Sequence, residues 1–208
     1  TAEPSDCFMV EVASAEPVPG GGAVAAHVAA LAAALGEMQG RLTLGRDKFA
    51  EVEDEVKEAV TLLGELRHQL LATVDEDSES FRRVLDARRE ARQNPDRQGG
   101  GSSSDHRIEE ALKAAATVPL EVASLAVQVL ETIETLAEIG NPSALSDAAS
   151  GAQMALAAVA SARYNVLVNV AELDDDEFAA EHRSRAVDLL DRAKEITERV
   201  EALLLGSV

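Results

Sequence analysis

The chain has 208 residues, of which 46% are hydrophobic and only 2% aromatic, and its formal net charge is −19 at neutral pH. That length suits one domain, spanning residues 1–208, with a core built from Ala, Leu and Val. So acidic a balance excludes the basic face that phosphate binding requires, and nucleic acid with it as a partner.

No stretch alternates long enough for a strand, so the predicted fold is all-α, a single-domain bundle of about five long helices. The first covers about residues 22–44, with apolar residues on nearly every side, the pattern of a buried central helix. The second covers about 48–92. Its Val52, Val56, Val60, Leu63, Leu66, Leu70 and Val74 keep steps of three and four. Residues 94–104 read as a solvated glycine–serine loop. The third helix covers about 105–140, ends at a glycine, and should kink at Pro119. Asn141-Pro142 then gives an N-cap with proline at the first helical position. An alanine-rich fourth helix follows to about 173. The fifth opens on acids that suit its positive end and closes at Gly206.

Lone Cys7 leaves no internal disulfide and fits a reducing cytoplasm. Lysine is confined to Lys48, Lys57, Lys113 and Lys194, and an acid-rich, lysine-poor surface fits solubility at high salt. No signal peptide is expected, because the start lacks basic residues and the apolar run at 23–35 is internal. That run is shorter than the ~20 residues a membrane-spanning helix needs, so no membrane partner is expected.

The informative residues break the bundle pattern. Asp77 falls on the apolar stripe of the second helix, three after Val74 and four before Phe81. A buried carboxylate there costs several kcal/mol (roughly) unless paired or protonated. The alternative is a stripe that drifts and leaves Asp77 in water. On the fourth helix Asp147, Met154, Ala158, Ser161, Asn165 and Asn169 recur at steps of three, four and seven. Such a polar line wants either a ligand or an interhelical hydrogen-bond network. Gly20, Gly21 and Gly22 precede a helix N-terminus, which suits anion binding or a tightly packed bend; no Walker loop follows. Arg82, Arg83, Arg88, Arg89, Arg92 and Arg97 form either a salt-bridged face or an attractor for a polyanionic small molecule. Glu65 and His68 make a single E-x-x-H where a di-iron bundle needs two, so no metal is expected.

These positions, taken in order, resemble a known family. The parts are PVPGGGAVAA at 17–26, LTLG at 42–45 with Lys48-Phe49 following, DEDSESF at 75–81, VPLEVA at 118–123, GNPSALSD at 140–147 and NVLVN at 165–169. Together they resemble the cyclodeaminase domain of formiminotransferase-cyclodeaminase and its relatives, the methenyltetrahydrofolate cyclohydrolases. The resemblance implies a helical homodimer with a folate, with or without a polyglutamate tail, in a cleft near the subunit interface, lined by the P-G-G-G bend. It implies a folate one-carbon enzyme that forms or opens 5,10-methenyltetrahydrofolate. Cyclodeaminase comes first, cyclohydrolase is the alternative, and a non-catalytic helical dimer that binds a pterin or a partner is a further one.

Both reactions need an acid–base group of tuned pKa and an anionic setting for a cationic amidinium-like centre. Asp77 and Asp147 are the expected carboxylates, with the division of roles open. Asn141, Ser146 and Asn165 are expected to hold the pterin edge, with Gly20, Gly21, Gly22 and Phe81 around it. Lys48, Arg46 or the arginines after Phe81 would meet the glutamate tail. No redox or metal cofactor is expected.

Overall fold

The computed structural model describes residues 4–93 and 103–207. Among them are six α-helices and no strand: α1 Pro4–Val12, α2 Gly21–Thr43, α3 Glu53–Gln93, α4 Ser103–Ile139, α5 Leu145–Val170 and α6 Asp176–Leu205. Short 3-10 turns at Asp47–Val52 and Pro142–Ala144 lead into α3 and α5. Residues 94–102 of the expected glycine–serine loop, with Arg97, lie outside the described residues, and its last two residues already begin α4.

The sequence reading has five helices, and α1 is the one it lacks. Nine residues with no sustained apolar stripe give periodicity little to register. Pro4 at the first helical position is the local signal that was there. Met9 and Val10 of α1 are exposed, while its Phe8 ring stacks on His27 of α2, with centroids 4.7 Å apart.

Helix α2 is the axis of the bundle, and α3, α4 and α5 pack around it. Alanine and glycine make this possible, since small residues let neighbouring backbones approach. A Cβ at Gly36 would stand 2.8 Å from Leu63 Cδ1 and 2.9 Å from Ile133 Cγ1, so only glycine admits both side chains. Leu63, Leu70, Leu130, Ile133, Leu136 and Ile196 are fully buried around this axis. Each contributes about 1.5–3 kcal/mol of transfer free energy.

The sequence predicts burial of α2 on nearly every side, but one side of the helix is open. Its outward residues Leu31, Met38 and Leu42 are 47%, 39% and 42% exposed. Three neighbours cover three sides, and none of the described residues covers the fourth. The buried Glu37 carboxylate on that side accepts from Arg41 at 2.8 Å and Arg67 at 2.5 Å. By length and composition α2 and most of α4 are apolar enough to cross a membrane, but more than half of each such stretch is buried inside the bundle.

Helix α5 runs antiparallel to α2. Gly21 lies beside Asn165, Gly151 faces the Ala32 carbonyl and Leu35, and Asn141, just before α5, hydrogen-bonds to Thr43. The two ends of the α2–α5 pair therefore carry different polar groups. At the α6 start the Asp175 carboxylate accepts from the Phe178 N–H at 3.0 Å and from Lys113 at 2.7 Å.

Candidate active site

The glycine bend enters α2 through Gly20, an extended N-cap whose lack of a side chain leaves the first helical N–H groups uncapped from within. Asp77, on α3, fills that gap. A Cβ on Gly22 would stand 2.5 Å from Asp77 Cγ and 2.6 Å from Oδ2, with Oδ1 nearer still. Glycine at 22 is thus what lets the carboxylate reach the helix end, where the positive dipole favours it. The stripe on α3 does not drift: Leu70 and Val84 are buried, and Asp77 between them is half-buried. Burial pushes its carboxyl above the ordinary carboxylate value, against the opposing hydrogen bond from the Ala23 N–H.

Around Asp77 lies a cavity of about 230 Å³. The bend, with Pro17 and Val18, forms one wall, and Ser80 and Phe81 of α3 form a second. Asn165, Val168 and Asn169 of α5 form a third, with Ala115 of α4 behind them. Among the described residues of this lining, Asp77 is the only ionisable side chain. Phe81 (37% exposed) and Val168 stand at the mouth as apolar surfaces.

The structure therefore brings together Asp77, Gly20, Gly21, Gly22, Phe81 and Asn165 from the predicted set. It does not bring Asp147, Asn141, Ser146 or Lys48 to them. Asp147 and Asn165 share α5, and a rise of about 27 Å separates them. Buried Asn141 is a clasp at the far end: its N–H donates to Thr43 Oγ1 at 2.9 Å, its Nδ2 to the Leu42 carbonyl, and its Oδ1 accepts from the Ser143 N–H. Ser146 is exposed and Asp147 half-buried beside that clasp. Lys48 is exposed in the turn after α2, its Nζ 5.3 Å from the Phe49 ring. Three of the arginines are paired: Arg83 with Glu79, Arg88 with Glu172, Arg89 with Asp86. Among the described residues no group of three His, Cys, Asp or Glu is arranged to hold a metal.

Asn169, Ser80 and Val168 belong to the cavity without having been singled out as site residues. Asn169 stood in the polar line on its helix, and that was its only signal.

The family model for formiminotransferase-cyclodeaminase matches residues 4–188. The chain is 36% identical over 198 residues to the methenyltetrahydrofolate cyclohydrolase of Methylorubrum extorquens, covering 95% of this chain and 94% of that protein. It is 34% identical over 201 residues to the formimidoyltransferase-cyclodeaminase of Rattus norvegicus, covering 97% of this chain but 36% of that longer protein. The chain thus spans about a third of the length of the bifunctional relatives it matches. In structure it superposes on the formiminotetrahydrofolate cyclodeaminase of Thermotoga maritima with a TM-score of 0.86 at 30% identity, covering 99% of this chain and 96% of that one.

Proposed function

The chain belongs to the formiminotransferase-cyclodeaminase family, and from that premise we propose that it is a folate enzyme, a formimidoyltetrahydrofolate cyclodeaminase acting at the Asp77 cavity. In that reaction N10 attacks the carbon of the protonated formimino group on N5, the N10 proton leaves, and the amine gains a proton and departs as ammonia. The product is the cationic 5,10-methenyl form. The observation that carries this reading is a carboxylate of raised pKa at the wall of a small cavity, with no cationic side chain among the described residues of its lining. Such a group hands a proton to departing ammonia, and its ionised form faces the cationic product. Phe81 and Val168 offer flat apolar surface to a ring, and Asn165 a carboxamide to its edge.

The cavity's 230 Å³ falls below the ~300–1,000 Å³ of sites that enclose a whole ligand. It takes the reacting ring, and the aminobenzoyl-glutamate tail lies outside. We propose that a second copy completes the site. Asp147, Ser146 and Lys48 lie toward the far end of the bundle, too distant to act with Asp77 of their own chain. A homodimer joined antiparallel along the open side of α2, through Leu31 and Met38, brings that end of one copy to the Asp77 cavity of the other. Lys48 and Arg46 would then meet the glutamate tail. The reaction as written uses no metal or redox cofactor. The reading places the protein in the cytoplasm, with neither membrane nor nucleic acid as a partner.

A second reading, methenyltetrahydrofolate cyclohydrolase, rests on the Methylorubrum extorquens relative, whose length the chain matches almost throughout. Water then adds to the methenyl carbon, and Asp77 takes its proton. The deciding experiment follows the absorbance of 5,10-methenyltetrahydrofolate with purified protein in molar salt. Formation from 5-formiminotetrahydrofolate with ammonia release is the expected result. Accelerated decay without formation assigns the cyclohydrolase, and neither activity in a folded dimer overturns the enzyme reading.

A further inference from the structure

We propose that Asn169 reads the hydrogen-bond donor edge of the bound ring, and that Pro119 positions it by leaving a backbone carbonyl unpaired. The inference rests on the folate reading above and names the part of the substrate this cavity selects. In α4 the Ala115 carbonyl should accept from the N–H four residues on, but residue 119 is proline and has none. Ala115 is buried, so its carbonyl needs another donor. Asn169 of α5 supplies it: its Nδ2 donates to the Ala115 carbonyl at 2.6 Å. The reverse orientation would set Oδ1 against a carbonyl oxygen, so the carboxamide has one orientation. Its Oδ1 is left as an acceptor in the lining of the cavity.

Asn165 is fixed in the same way. Its Nδ2 donates to the Ser161 carbonyl at 3.0 Å, one turn back on α5. The Ser80 hydroxyl is committed as well, donating to the Asp77 backbone carbonyl at 2.9 Å. Each carboxamide thus spends one N–H on the main chain, which fixes where its oxygen points. The fixed acceptors are the two amide oxygens, with the ionised Asp77 carboxylate beside them. The ligand edge that complements them carries N–H and NH₂ groups, as the 2-amino side of a reduced pterin does. An edge carrying carbonyl oxygen in that place meets acceptor against acceptor.

The test measures binding of fragments to the whole chain by titration calorimetry, without turnover. The probes are 6-methyltetrahydropterin and the corresponding tetrahydrolumazine, which has 2-oxo in place of the 2-amino group. The pterin is expected to bind about tenfold tighter or better, because the 2-oxo group would face the fixed Asn169 oxygen. Asn169→Ala should bring the two affinities within about threefold. Pro119→Ala touches no ligand; by restoring an N–H to the Ala115 carbonyl it releases Asn169, and it should lower the discrimination too. Asn169→Asp, which keeps an acceptor but loses the tether, serves as a second variant if the alanine change unfolds the chain; it should also lose discrimination. Equal binding of both fragments to the unaltered protein overturns the inference, as does full discrimination in Asn169→Ala. If ring closure proceeds while the fragments bind equally, the inference fails and the enzyme reading stands. If neither fragment binds and no turnover occurs, both fail.

Discussion

The Asp77 carboxylate occupies the space that a side chain at position 22 would need. The close approach joins the middle of α3 to the first turn of α2, and it is the reason for glycine at this point of the bend. Gly22→Ala should therefore displace the carboxylate or the helix start. Overpacking of this kind costs about 1–3 kcal/mol, read as a lowered Tm, and turnover should fall at least tenfold. In an Asp77→Ala background the same change should cost little stability, because the obstructing atoms are gone. A double-mutant cycle in thermal unfolding measures that coupling, and additive effects would contradict the geometry.

Ionisation of Asp77 should be visible in the pH dependence of stability. Burial raises its folded pKa above the unfolded one, so proton binding favours the folded chain. That contribution is complete below the ordinary aspartate value of ~3.9 and is lost as pH rises through the raised value. Asp77→Asn cannot ionise. The Tm difference, variant minus unaltered protein, should climb across that window and then level off. A difference flat with pH would place the folded carboxyl at its ordinary value.

Antiparallel pairing along α2 makes a sharper prediction. Asp77→Ala and Asp147→Ala should each abolish activity as pure proteins. Co-refolded in equal amounts, half of the dimers are mixed, and one of the two sites in each mixed dimer holds both aspartates. Activity should return to about a quarter of the unaltered level. Absence of recovery in a mixture shown to exchange subunits would confine the site to one chain.

The open side of α2 can be tested directly. Leu31→Asp with Met38→Asp places two charges where the pairing needs apolar surface. Sedimentation velocity should report a monomer with unchanged far-UV helicity, and turnover should drop more than tenfold. A dimer that survives both changes must use another face.

Much of this architecture is legible in the sequence. Steps of three and four on α3 foretell its buried face, and Asp77 stands out because it interrupts that stripe. Phe81 lies on the same stripe, while the glycine bend reads as a helix entrance and Asn165 as part of the polar line on α5. The position of Asp147 does not. Periodicity tells which face of a helix a residue shares, not which end of the bundle it reaches, so Asp147 and Asn165 look like neighbours on one polar line. Asn141 carries the same lesson: the residue types suit a ligand, but its hydrogen bonds are committed to Thr43, Leu42 and Ser143. Pro119 reads as a kink in its own helix. The use of the carbonyl it frees by Asn169 joins two segments that sequence spacing cannot relate. The open side of α2 is hidden for the opposite reason, since an all-round apolar helix does not say whether its last neighbour belongs to the same chain.

Helix α2 also serves as a ruler. Its first turn meets Asp77 and its last meets Asn141, and Gly36 between them is wedged against Leu63 and Ile133. Removing one residue between Gly22 and Gly36 would shorten the span by about 1.5 Å and turn the glycine bend by about 100° relative to that wedge. Such a lesion leaves composition, apolar content and helical propensity almost unchanged, yet it aims the bend away from its carboxylate. Length between fixed points, counted in whole residues, is thus as much a determinant of this site as the identity of any side chain in it.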